Sequence, residues 1–280
     1  MSAACLLLTT ITSLFISGGN AQSGNLTEEQ RHAFNAARTL SIGYVVYPGA
    51  ELLDIFGPLE ILFHTSREYK MTLSMIGKTT GPVAARYPPH KMPGSDMILE
   101  YSQWISASYI ATHTPQDAPA LDILIVPGGV GNMALDSAGD TWIEDFVKLR
   151  YDQVDYLASI CTGSENLARS GVLDGRKATT NKNAWERVVK NGPKVHWVPS
   201  ARWVQDGNIW TSSGVAAGID MTYALLKHLY GTEKLDTIMN GIEYAPHTDP
   251  HWDPFSVVHN VPGAVNQTNL DGCVGPVGID

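Results

Sequence analysis

Positive charge is scarce in this sequence: 19 Lys and Arg stand against 28 Asp and Glu, for a net charge of −9. The basic residues form no cluster, which argues against a nucleic-acid-binding face. The acidic balance serves solubility. Cysteine is equally scarce, with three in 280 residues. Neither C-x-x-C nor H-E-x-x-H occurs, so the usual zinc signatures are missing. His247, Asp249, His251 and Asp253 alternate, and we read them as polar linker rather than ligands. The glycine-rich stretch at 127–132 is followed by no Gly-Lys-Ser/Thr, which excludes a P-loop. No apolar run is long enough to cross a bilayer as a helix, and no internal repeat is found.

What is present begins with a leader. Positions 4–16 are mostly apolar, and Gly19-Asn20-Ala21 resembles a signal-peptidase site. Residues 1–21 read as a cleaved secretory signal, although no Lys or Arg precedes the apolar run. A disordered or organelle-directed leader, and a cytoplasmic location, stay open. Sequons at Asn25 and Asn266 agree with secretion. Cys5 would leave with the signal. Cys161 and Cys273 would remain, free or paired in an oxidising compartment.

Residues 22–40 read as an N-terminal segment and 41–246 as one domain. Apolar runs at 41–48, 71–77, 121–129 and 155–161 read as strands. The run "LDILIVPGG" has the near-continuous apolar character of a strand buried on both faces. Helical spacing appears at 52–66, interrupted near Gly57-Pro58, and again at 140–153, from Thr162, and at 216–231. "GPVAARY" and "MILEY" read as a short hairpin or inserted pair. Two extended stretches flank a turn at Asp206-Gly207. Strands alternating with helices predict an α/β fold, a mostly parallel twisted sheet with helices on both faces. Residues 247–280 are rich in Pro, Gly, Asn and Asp without periodicity, and read as an irregular tail.

In such sheets ligands bind at the carboxyl ends of the strands. Three candidate segments fall there. "LASICTGS" places Cys161 at a strand-to-helix corner, as in a nucleophile elbow, where helix N–H groups would favour a thiolate. The bland reading is a buried packing cysteine. Asp54 stands among Leu53, Ile55 and Phe56, company that raises a carboxyl's pKa towards neutrality. The bland reading is a helix cap. Glu51 and Glu60 sit in less apolar company and read as surface groups. Gly128, Gly129 and Val130 offer amides for an oxyanion or substrate, or merely make a tight turn. Gly214 and Val215, in "SSGVAAGID", either line the same pocket or permit close helix–sheet packing.

Together "LLDIFGPLEIL", "LDILIVPGG", "SICTGSENLARSGVLDGRKATT", "DGNIWTSSGVAAGID" and "EYAP" resemble the ThiJ/PfpI superfamily, related to class I glutamine amidotransferases. Within it the isonitrile hydratases are the most similar pattern. The resemblance implies a flavodoxin-like fold, a homodimer, a small-molecule substrate and no cofactor. It also implies that Cys161 is the nucleophile, that Thr162 lies near the reacting group and that Asp54 assists proton transfer. The amides of Gly128, Gly129 and Val130 would face the site. Two departures stand out: amidotransferases and PfpI-type peptidases have His where this chain has Thr162, and the hydratases have His where it has Asn181. The family's C-terminal helical region also gives way here to the Gly/Pro-rich tail. Activity on α-oxoaldehydes, and a non-catalytic binding or redox role through Cys161 and Cys273, are the competing expectations.

Overall fold

The structure, a computed structural model, describes residues 26–91 and 95–265. The leader, Asn25, Asn266, Cys5 and Cys273 lie outside the described residues. Helix α1 (Glu28–Ala37) opens the described chain and is capped by Thr27 and Gln30 reciprocally. Strand β1 (Leu40–Val45) leads into α2 (Leu52–Thr65) and β2 (Met71–Ile76). An excursion follows with β3 (Gly81–Ala84), β4 (His90–Lys91), β5 (Ile98–Leu99) and β6 (Ser108–Ala111). The chain returns through β7 (Ile123–Val126), α3 (Gly131–Ser137), α4 (Trp142–Arg150), β8 (Tyr156–Ser159) and α5 (Gly163–Arg169). Then come β9 (Lys177–Ala178), α6 (Trp185–Lys190), β10 (His196–Trp197), β11 (Trp203–Asp206) and β12 (Ile209–Ser212). Helices α7 (Val215–Tyr230), α8 (Glu233–Gly241) and α9 (Phe255–Val258) complete it.

The central sheet has the order β11-β12-β8-β7-β1-β2, parallel throughout except for β11 at its edge. Every residue of β7, β8 and β12 is buried. That is the signature of strands covered on both faces, which apolar runs without alternation predict. Helices α1, α2, α7 and α8 pack together as one layer, and α4, α5 and α6 as another. The parallel α/β expectation therefore holds.

Four expectations are corrected. Helix α2 runs unbroken through Pro58. Proline lacks the N–H that would bond the Asp54 carbonyl, and the Tyr44 hydroxyl donates to that carbonyl instead. The excursion segments do not pair with each other: β3 pairs with β6, and β4 with β5. The N-terminal segment joins the domain, because Arg31 Nε donates to His228 O at 2.8 Å and Arg38 bridges Asp122 and Asp155. Residues 247–265, though mostly irregular in backbone, pack onto the domain, with Asp253, Ser256 and Val261 buried. Their packing comes from isolated side chains and leaves no helical or strand periodicity to read.

Candidate active site

The carboxyl ends of β1, β7, β8 and β12 release four loops at one edge of the sheet. Cross-bonds lock them together. Tyr47 Oη, just past β1, donates to Pro127 O at 3.0 Å. Glu51 N donates to Gly128 O at 2.9 Å, and Gly128 N returns a bond to Asp54 Oδ2 at 2.9 Å. The start of α2 and the loop after β7 thus hold each other in two directions.

Cys161 follows β8 with φ +57°, a left-handed conformation that a non-glycine residue adopts at a cost of about 1–3 kcal/mol. The surroundings enforce it. Its carbonyl accepts from Ser164 Oγ at 3.2 Å and Thr180 Oγ1 at 3.1 Å. Gly163 is required next, since a Cβ there would stand 2.2 Å from the Val126 carbonyl oxygen. The strand-to-helix corner is therefore a strained elbow, as the sequence predicts.

The side chain is 5 % exposed, but it lines an open cleft of about 1030 Å³. Thr162, Gly129, Val130, Asn181 and Val215 line the same cleft. Gly214 lines an adjoining chamber instead. Asp54 is fully buried and lines neither cavity, so it meets the cleft by way of the sulfur. The neighbouring Cys161 thiol favours the ionised form of the Asp54 carboxyl. Asp54 Oδ1 is buried and has no hydrogen-bond partner among the described residues.

Burial pushes the Asp54 pKa from 3.8 up to about 7, and the Glu51 charge adds to the rise. The Gly128 N–H and the Cys161 thiol offset part of it. The near-neutral acid read from the apolar neighbours is thus present. The expected thiolate is not. Burial, and then the Asp54 charge, push the Cys161 thiol well above its ordinary range, while the Thr162 N–H and Asn181 pull it down by less. A single helix-start amide does not offset desolvation of the sulfur and a carboxylate beside it. In the resting site the proton stays on sulfur and Asp54 is poised to exchange it.

The loop amides are a second correction. The Gly128 N–H is committed to Asp54, and the Gly129 N–H donates to Thr162 Oγ1 at 3.0 Å. Only the Val130 amide is left without a protein acceptor among the described residues. The loop therefore positions the acid and the threonine rather than forming a free oxyanion nest. A Cβ at Gly128 would fall 2.5 Å from Thr162 N, so this closeness needs glycine. Thr162 Oγ1 accepts from Gly129 and keeps its own proton for whatever occupies the cleft.

Sequence reasoning noted Asn181 only as a departure from a pattern. It stands with Nδ2 3.1 Å from Cys161 Sγ, and its Oδ1 accepts from Ala184 N at 3.0 Å. Glu51 is likewise no mere surface group: it lines the cleft and accepts from Tyr87 Oη at 3.1 Å. Glu60 is exposed, as expected. Cys161 carries a free thiol. No group of three or more His, Cys, Asp or Glu able to hold a metal ion occurs among the described residues.

A sequence model of the DJ-1/PfpI family matches residues 44–228, a span that includes Asp54, the 128–130 loop and the elbow. The chain belongs to the DJ-1/PfpI family. Among DJ-1/PfpI relatives, the isonitrile hydratase of Pseudomonas putida is 30% identical over 208 residues, covering 74% of this chain and 79% of that protein. The crystal structure of a ThiJ/PfpI family protein from Pseudomonas syringae superposes with a TM-score of 0.59 at 26% identity, covering 75% and 77% of the two chains. Drosophila melanogaster DJ-1beta shares the DJ-1/PfpI fold with a TM-score of 0.57 at 19% identity, over 74% of this chain and all of that one, 100%.

Proposed function

We propose that this protein adds water to an isocyanide, R–N≡C, giving the N-substituted formamide through a covalent bond to Cys161. The observation that carries the reading is the pairing of an elbow sulfur with a buried acid titrating near 7, with Thr162 and Asn181 rather than an imidazole around the sulfur. Among the described residues the sulfur's side-chain hydrogen-bond partner is Asn181, and no histidine is bonded to it as in a hydrolytic Cys-His pair. The likeness to the P. putida isonitrile hydratase supports the same chemistry.

The geometry fits a one-carbon addition. An isocyanide's terminal carbon accepts a nucleophile and a proton at the same atom. As Cys161 Sγ attacks, Asp54 takes the thiol proton and delivers it to that carbon. An S–C and a C–H bond form and the S–H bond breaks, leaving the thioimidate R–N=CH–S. Water from the open cleft then adds to the same carbon while nitrogen gains a proton. Cleavage of the S–C bond releases R–NH–CHO, and the sulfur recovers its proton through Asp54. The Thr162 hydroxyl is placed to donate to the substrate nitrogen or to orient the water.

The test is direct. Purified protein is mixed with a panel of alkyl isocyanides and, separately, with methylglyoxal, and products are followed by NMR. Formamide from the isocyanides is the expected result. Lactate from methylglyoxal with no formamide would replace this reading with the α-oxoaldehyde one.

A further inference from the structure

The chain beyond α8 crosses back over the carboxyl edge of the sheet, and buried charges hold it there. Asp220 Oδ2 accepts from Arg202 Nε at 2.6 Å, and its Oδ1 accepts from Tyr244 Oη and from His247 N. Arg202 N in turn donates to Pro250 O at 2.7 Å. Further on, Lys182 Nζ lies 3.7 Å from Asp253 Oδ2, and both side chains are 1% exposed. Lys182 Nζ also donates to Thr179 Oγ1 at 2.6 Å and Ala201 O at 2.9 Å. A buried ion pair is weak evidence for net stability, but breaking it is costly, so it fixes where two segments meet. Here one of those segments is the loop whose preceding residue, Asn181, touches the sulfur.

The other segment walls the site. Asn260, Val261 and Pro262 line the sulfur's cleft. Phe255 and His259, with Val215, Ala216 and Ala217, line a chamber of about 280 Å³ beside it. Asn181, Val215 and His259 line both cavities, so the two adjoin across a shared wall. The charges at the chamber, Lys182 with Asp253 and Arg202 with Asp220, are neutralised in pairs, and its other surfaces are largely aliphatic or aromatic.

We propose that residues 253–262 are the substrate-selecting wall of this site, and that the side chamber takes a compact apolar substituent of the substrate while its reactive carbon meets Cys161. This rests on the isocyanide reading for the identity of the reactive carbon; the wall itself rests on the cavities and the ion pair. Phe255 sets the chamber's size, and the Lys182–Asp253 pair keeps the wall closed on the loop that carries Asn181.

The experiment uses the full chain, Phe255→Ala and the double variant Lys182→Met/Asp253→Leu, which removes both buried charges together. Labelling of Cys161 by N-phenylmaleimide and by iodoacetamide is read by peptide mass spectrometry, and kcat/KM is measured for methyl and cyclohexyl isocyanide. Phe255→Ala should raise the cyclohexyl-to-methyl ratio of kcat/KM about tenfold, the scale at which a pocket resolves apolar size. Both variants should raise the phenylmaleimide-to-iodoacetamide labelling ratio. The labelling ratio decides: unchanged in Phe255→Ala, it overturns the wall. Phe255 is partly exposed, so that variant retains its fold even if the double variant does not. Absence of isocyanide turnover in the wild-type protein would reject the hydratase reading, while the labelling ratio would still decide the wall.

Discussion

Asn181 Nδ2 stands 3.1 Å from the Cys161 sulfur, and the Asn181 carbonyl oxygen is already committed to the Ala184 amide. The second bond fixes the orientation of the first. The side chain is held as a donor to sulfur and carries no proton to exchange, so acid–base work in the site falls to Asp54.

Asn181→Ala removes that donor, and Asn181→Asp replaces it with a charge of the wrong sign. Both should push the thiol higher and slow its alkylation at pH 8, by about tenfold or more for a hydrogen bond to a charged group. The readout is the second-order rate with iodoacetamide at Cys161 as a function of pH. Profiles identical to wild type in both variants would remove Asn181 from the sulfur's environment.

The raised Asp54 pKa has a consequence for stability. The folded protein holds this proton more tightly than the unfolded chain, with values of about 7 and 3.8. The resulting stabilisation is complete below the unfolded value and is lost as pH rises through about 7. The whole difference is worth about 4 kcal/mol. Asp54→Asn has no such proton to lose, so it should gain on wild type between pH 5 and pH 8 in denaturant titrations while losing turnover. A stability difference that is the same at both pH values would mean Asp54 does not titrate in this window.

Tyr44 and Pro58 form a compensating pair across the Asp54 carbonyl. Tyr44→Phe should cost about 1–3 kcal/mol, the penalty for leaving a buried acceptor unmet. Pro58→Ala restores a helical N–H to the same carbonyl. In the Tyr44→Phe background it should therefore recover stability that it does not supply in wild type. Equal effects of Pro58→Ala in both backgrounds would show the two residues to be independent.

The elements that position the site are legible in the sequence because their signals are local. The apolar runs of β7 and β8, the Cys-Thr-Gly corner and the apolar neighbours of Asp54 each fit within a few residues. The rest of the site depends on partners distant in the chain. Gly128 looks like an open amide donor until its acceptor, Asp54, is seen 74 residues away. Asn181 reaches the sulfur across 20 residues. The thiol's proton is decided by burial and a neighbouring carboxylate, neither of which a helix-start pattern reveals. The 247–265 segment contributes through Asp253, Phe255 and Val261 one residue at a time, which no periodicity records.

The most direct test of the account traps the bond between sulfur and substrate. Protein is mixed with an isocyanide ¹³C-labelled at its terminal carbon, quenched rapidly in acid, and the Cys161 peptide is weighed. The account predicts that the peptide gains the mass of the isocyanide, that the label appears in formamide, and that Cys161→Ser shows neither. Labelled formamide from Cys161→Ser at the wild-type rate would contradict it.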